Sequence, residues 1–239
     1  MPLLGNDPRR FIRNNLLMLH DSILNPPLNT LNGDGTLWVK LVEANDYFGA
    51  IERRRNRSGL AQLMPKSNKT WWETLTSIYV VMTAKETEED RHKAYICPYG
   101  TNSTKDKMLG RDADVMFTPT LSGCTFGVGS PNNDGGVRVA HSNAMSWAEQ
   151  EEGGQMNYEP QIRAQLAGLQ HADIADRVLA PEQYNYNAAK GYRARGNIFM
   201  SATMGLRIGG VWEFWYQHQA TDNLGNATLR EKMATVKLQ

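Results

Sequence analysis

Two cysteines, Cys97 and Cys124, supply the thiols of this 239-residue chain, and they sit in different sequence surroundings. Cys124 ends the run Thr118-Pro119-Thr120-Leu121-Ser122-Gly123-Cys124 and is followed by Thr125 and a short apolar stretch. The thiol therefore stands just past a Pro and Gly turn, at the expected start of a strand over 124–128. A glycine before a thiol permits close backbone approach or a positive φ, and neighbouring backbone N–H groups can then point at an oxygen that gains negative charge. Seventeen residues on, beyond a turn of Gly, Ser, Pro, Asn and Asp, the stretch Val137 to Ala140 leads into His141. A cysteine nucleophile needs a base or a positive neighbour to raise its thiolate fraction at neutral pH, and a histidine within hydrogen-bond reach supplies either. If the two strands pair, Cys124 and His141 meet, and such a thiol is expected to alkylate faster than free cysteine at about pH 6. The same residues also fit a free cysteine packed as a small hydrophobe.

The other polar candidates have blander surroundings. Cys97 precedes Pro98 without a comparable glycine context and is expected to be structural and buried. His20, His92 and His218 are scattered, with no carboxylate or cysteine at metal-ligand spacing, so no metal is expected. Gly127-Val128-Gly129 followed by Asn132, Asn133, Asp134, Gly135 and Gly136 lacks a P-loop lysine or a dinucleotide fingerprint, so it reads as a flexible turn and implies no cofactor. Trp71, Trp72, Trp212 and Trp215 are read as core or hairpin packing.

The elements that must position these groups follow from periodicity and punctuation. Asp7 then Pro8 reads as an N-cap with proline in the first turn, and Ile12, Leu16, Leu19 and Ile23 follow at helical spacing, up to Pro26 and Pro27. Gly33-Asp34-Gly35 turns the chain into a strand over Leu37 to Val42, and residues 50 to 70 read as surface loop or short helix. Ile78 to Met82 suits a buried strand, and Lys85 to Lys93 a charged surface segment. Strand signals recur at Val115 to Phe117, Cys124 to Val128 and Val137 to Ala140. Ile162, Leu166 and Leu169 mark a helix starting near Pro160, and Gly209-Gly210 between Phe199 to Ile208 and Val211 to Gln219 reads as a hairpin turn. This order predicts an α+β fold, with a β-sandwich or mixed β-sheet core, flanking helices and long loops, in a single domain over 1–239.

Bulk properties narrow the function classes. Twenty-six Lys and Arg against 25 Asp and Glu leave a net charge of +1, so no global field draws the chain to nucleic acid or an acidic membrane, and neither is an expected partner. The basic run Arg53, Arg54, Arg55, Arg57 reads as solvated surface. With 41% hydrophobic residues the chain is expected to fold, and two cysteines are too few for a disulfide framework. The N-terminal residues show no Sec signal and no stretch reaches the length of a membrane span, so export would need another route.

The run Leu121-Ser122-Gly123-Cys124, with a histidine one strand later, resembles the catalytic motif of the cytotoxic necrotizing factors and Burkholderia lethal factor, which are glutamine deamidases. The aromatic hairpin strand Gly210-Val211-Trp212-Glu213-Phe214-Trp215-Tyr216-Gln217 is similar to a late strand of that fold. In the lethal factor a threonine six residues before the cysteine helps orient the histidine, and Thr118 stands at that offset, whereas the necrotizing factors use a backbone carbonyl. The gap to His141 is slightly longer than in those families, which keeps His171 as the reserve imidazole. The resemblance implies sandwiched β-sheets and attack of Cys124 on the side-chain amide of a glutamine in a host protein, such as a small GTPase or a translation factor. His141 would be the acid-base partner and Thr118 its orienting group, with Leu121, Ser122, Gly123 and Thr125 forming the motif and oxyanion surroundings. It further implies a secreted or translocated bacterial effector acting in the cytoplasm of the target cell. The same dyad would also serve a cysteine protease, acyltransferase or transglutaminase, or a chemoreceptor-type deamidase inside its own bacterium. A β-rich binding module without catalysis is the reading from another class.

Overall fold

In the computed structural model the described residues are 4–19, 31–43, 78–121, 123–143, 149–150, 156–157, 178–181, 183, 198–224 and 227–238. A short helix α1 (Pro8–Asn14) leads into strands β1 (Leu16–Leu19), β2 (Thr36–Glu43), β3 (Ile78–Thr83), β4 (His92–Ile96), β5 (Ser103–Leu109) and β6 (Val115–Phe117). The chain continues through β7 (Thr125–Pro131), β8 (Val137–Asn143), β9 (Glu149–Gln150), β10 (Met156–Asn157) and β11 (Val178–Leu179). Three long strands follow: β12 (Ile198–Ile208), β13 (Val211–Leu224) and β14 (Ala227–Leu238).

Eight strands form one mixed sheet in the order β1-β3-β2-β4-β6-β12-β13-β14, and four form a second in the order β11-β7-β8-β5. The expected β-rich core is present, and α1 is the one complete helix among the described residues, so few flanking helices accompany the core there. The helix expected from Pro160 and the segment 50–70 lie outside the described residues, as do Trp71, Trp72, His20 and His171.

Strand alternation builds two apolar layers on the large sheet. Tyr95, Cys97, Met116, Trp212, Phe214 and Tyr216 face the small sheet's Cys124, Phe126, Val128, Val137 and Val139. The intervening residues Ala94, Ile96, Val115, Phe117, Met204 and Trp215 pack on the other face with Leu4, Ile12 and Leu17. That division is the period-2 rule at work on strands buried on both sides.

The first helix is shorter than its apolar spacing suggested. It is capped by Asp7, whose side chain accepts from the Arg10 backbone N–H at 3.0 Å, and it ends at Asn15 in extended conformation (φ −124, ψ 149). Leu16–Leu19 then pairs in parallel with β3 rather than continuing as helix. Buried Gln217 holds this junction: its amide nitrogen donates to the carbonyls of Ile12 (2.8 Å) and Asn15 (2.7 Å), and its oxygen accepts from Leu17 N–H (3.1 Å). Tertiary pairing thus overrides a local helical period. The expected glycine hairpin joins β12 to β13, with Gly209 (φ 59) and Gly210 (φ 86) both in the left-handed region that a two-residue turn of this kind needs.

Candidate active site between the sheets

Thr118 follows β6 directly and Cys97 follows β4, and these two strands pair in parallel with Ile96 opposite Phe117. The Cys97 N–H donates to the Phe117 carbonyl at 2.9 Å, so Cys97 and Thr118 lie side by side on the inner face of the large sheet. From the small sheet, β8 carries His141 opposite Phe126 of β7. Residues directly opposite in a ladder share a face, so His141 points the same way as Phe126, Val137 and Val139, toward the large sheet.

The two sheets meet at a hydrogen bond of 2.8 Å between Thr118 Oγ1 and His141 Nδ1. Thr118 Oγ1 also donates to the Cys97 carbonyl at 3.2 Å. A hydroxyl has one proton, and when it is committed to the carbonyl, Nδ1 must be the donor in the other bond. The imidazole is then the Nδ1–H tautomer, with its lone pair on Nε2. Nε2 is buried and has no hydrogen-bond partner among the described residues. His141 itself is 0% exposed, and burial pushes its pKa down to about 3, so the ring is neutral. The lone pair on Nε2 can accept a proton, but the same burial that keeps the ring neutral makes it a weak base as it stands.

Cys124 lies one residue before β7 and is 6% exposed. The ladder pairs Thr125 with Ser142 and Phe126 with His141. Extended by one residue, it sets Cys124 opposite Asn143 and diagonal to His141, a relation that spans about 7–8 Å between antiparallel strands. Cys124 belongs to the same inter-sheet core as Phe126 and Val139. The thiol does not bond to Nε2, which has no hydrogen-bond partner among the described residues.

The remaining motif residues take distinct places. Gly123 has φ +108, a conformation that side chains rarely adopt, which gives the glycine before Cys124 a backbone reason. Leu121 is buried and forms a two-way backbone bridge to Ser201 of β12, with N–H···O distances of 2.8 and 2.9 Å. That bridge clamps the turn before the thiol to the large sheet. Thr125 is fully buried and, by alternation, faces away from Cys124. Ser122 lies outside the described residues.

Two neighbours of the site are not tied to it by the sequence: Tyr99, and Cys97, which is buried as expected. The Cys97 carbonyl anchors Thr118, while its thiol is buried and pushed up to about 12 by that burial, which makes it a poor nucleophile. Tyr99 sets its ring against the imidazole, with centroids 5.3 Å apart and planes at 70°. Their place depends on the parallel pairing of β4 with β6, a long-range relation that no local pattern announces. Among the described residues no group of three or more His, Cys, Asp or Glu side chains is placed to hold a metal. No helix among them is long and apolar enough to cross a membrane.

No family model matches the chain and no curated protein matches it. Among solved structures it is similar to the C-terminal domain of CNFy from Yersinia pseudotuberculosis, with a TM-score of 0.29 and 9% sequence identity. The similarity covers 60% of this chain and 62% of that one, so the chain spans less than two thirds of that domain. A likeness at that level transfers neither a residue nor an activity.

Proposed function

We propose that the chain is a protein-glutamine deamidase of the toxin type, in which Cys124 is the nucleophile, His141 the general base and acid, and Thr118 the group that orients the ring. The observation that carries this reading is the Cys97 carbonyl–Thr118–His141 relay, which fixes a buried neutral imidazole with Nε2 unbonded. Apolar packing alone gives no reason to bury an imidazole with an unpaired nitrogen, because such a group costs about 1–3 kcal/mol. Its cost is explained if Nε2 is kept for a proton in transit.

In this reading Nε2 takes the Cys124 proton as sulfur adds to the carboxamide carbon of a substrate glutamine. Backbone N–H groups of the turn around Gly123 would hold the oxyanion. Collapse expels ammonia, which receives its proton from Nε2, and leaves a thioester. Water, deprotonated by the same nitrogen, then attacks the thioester to release glutamate and restore the thiol. The missing Cys124–His141 bond fits a site that tightens when substrate arrives. The proposed setting is a translocated effector acting in the target cell on a host protein, with a small GTPase or translation factor as the class of target.

Incubating target-cell lysate with the wild type and with Cys124→Ala, followed by proteome-wide mass spectrometry, tests this. Glutamine-to-glutamate conversion at a defined site by the wild type alone is expected. Chain cleavage would point instead to a protease, and amine incorporation to a transglutaminase. The low exposure of Cys124 favours a second reading, a β-rich binding module in which the thiol is packing. An unchanged proteome in every comparison would select it.

A further inference from the structure

The imidazole of His141 is fully buried, yet the ring packed against it belongs to a residue that is 37% exposed, Tyr99. The Tyr99 hydroxyl accepts a hydrogen bond from Asn143 Nδ2. Asn143 lies two residues beyond His141 on β8 and therefore on the same face. It also takes the ladder position opposite Cys124 when the β7–β8 register is carried one residue on. Tyr99 thus lies along the stretch of β8 that faces the thiol, with one side on the imidazole and the other in solvent. Among the described residues one side-chain hydrogen bond, from Asn143, holds its outer end.

We propose that Tyr99 is the access and specificity residue of this site: a substrate side chain reaches Cys124 and His141 when the phenol leaves Asn143, and the narrow opening selects a slender, unbranched carboxamide side chain over bulkier ones. The nature of what enters rests on the deamidase reading, whereas the gate rests on the Tyr99 ring against His141 and its bond from Asn143. A hydrogen bond of ordinary strength is a suitable latch, since breaking it leaves a minor open population rather than a negligible one.

The test is the alkylation rate of Cys124 in the folded, full-length chain, read by peptide mass spectrometry with Cys97 as internal reference. Iodoacetamide serves as the slender reagent and N-phenylmaleimide as the bulky one. Tyr99→Phe removes the latch and keeps the ring, and is expected to speed both reagents about fivefold, the effect of one net hydrogen bond on an opening equilibrium. Tyr99→Ala removes the door and is expected to speed the bulky reagent by at least about tenfold, and by more than the slender one, with Cys97 unchanged. Asn143→Ala, which leaves Tyr99 in place, serves where Tyr99→Ala does not fold, and should match Tyr99→Phe. Equal Cys124 rates across the variants overturn the proposal. So does a parallel rise at Cys97, which would report general loosening. A size-dependent gate in a chain that deamidates nothing would sink the catalytic reading alone, and deamidation with unaltered alkylation would sink the gate alone.

Discussion

Thr118→Val is the most informative single change, because valine keeps the shape of threonine and removes only the hydroxyl. The lost interactions are the 2.8 Å bond from His141 Nδ1 and the 3.2 Å bond to the Cys97 carbonyl, both buried. At about 1 kcal/mol net for each, and more for a donor left buried without a partner, the variant should lose about 2–4 kcal/mol of stability. In a chain of this size that lowers Tm by about 2–4 °C per kcal/mol. The tautomer effect is smaller. In the wild type the Nε2–H form would require Thr118 to turn its proton from the carbonyl to Nδ1, so the Nδ1–H form is favoured by about one hydrogen bond, 0.5–1.5 kcal/mol. Its share is then about 70–90%, and falls to about half when the hydroxyl is gone, which changes a rate less than twofold. Orientation decides the outcome, because the ring has lost its one hydrogen bond among the described residues and a reacting group misplaced by an ångström costs up to about 100-fold. We therefore expect kcat for deamidation to fall about 10- to 100-fold with KM little changed, and Thr118→Ser to retain most of it. Ring nitrogen NMR shifts read the tautomer without a substrate. A wild-type ring with its proton on Nε2, or a valine variant with unchanged rate and stability, would refute the relay.

Cys124→Ala should abolish deamidation, by about 10⁴-fold or more in kcat, while destabilising the fold by only about 1 kcal/mol in thermal melts. The buried ionisable groups make stability depend on pH in opposite directions. His141 titrates at about 3 when folded and near 6.5 when unfolded, so below about pH 6.5 the unfolded chain takes up a proton that the folded chain refuses, and stability falls toward pH 3 by up to about 1.4 kcal/mol per unit. Cys97 is raised from 9.0 to about 12, so the unfolded chain loses its proton first and stability falls again above about pH 9. Melting temperatures from pH 4 to 10 should show a plateau between these limits, with the acid limb flattened in His141→Gln; an unflattened limb would assign it to other groups. Gln217→Leu removes three hydrogen bonds, two buried and one partly buried, and should cost about 2–4 kcal/mol in urea unfolding.

Much of this arrangement was legible in the residues because it is local. The strands around Ile78, Val115, Phe126 and Val139, the hairpin at Gly209-Gly210, and a glycine conformation before Cys124 all follow from turn chemistry and β-branched runs. The Thr118 offset came from the resemblance to a known motif, and the structure places that hydroxyl on the His141 ring. Residues 16–19 misled because apolar residues at helical spacing also suit a strand once β3 and Gln217 are there to receive them. β4 was hidden by its charged start at His92 and Lys93, and β5 by Lys105, Asp106 and Lys107, which fit an edge strand with one wet face. Cys97 and Tyr99 could not be connected with His141 from spacing, since their neighbours come from strands far along the chain.

The backbone clasp between Leu121 and Ser201 has a consequence for the order in which the molecule is completed. The turn that presents the sulfur is anchored to a strand some eighty residues downstream, and that strand is itself flanked by the long C-terminal ribbon. A growing chain that has not yet delivered residue 201 lacks the anchor for the turn before Cys124, so closure of so long a loop comes late and slowly. The turn before Cys124 is in this way left unanchored until residue 201 is in place.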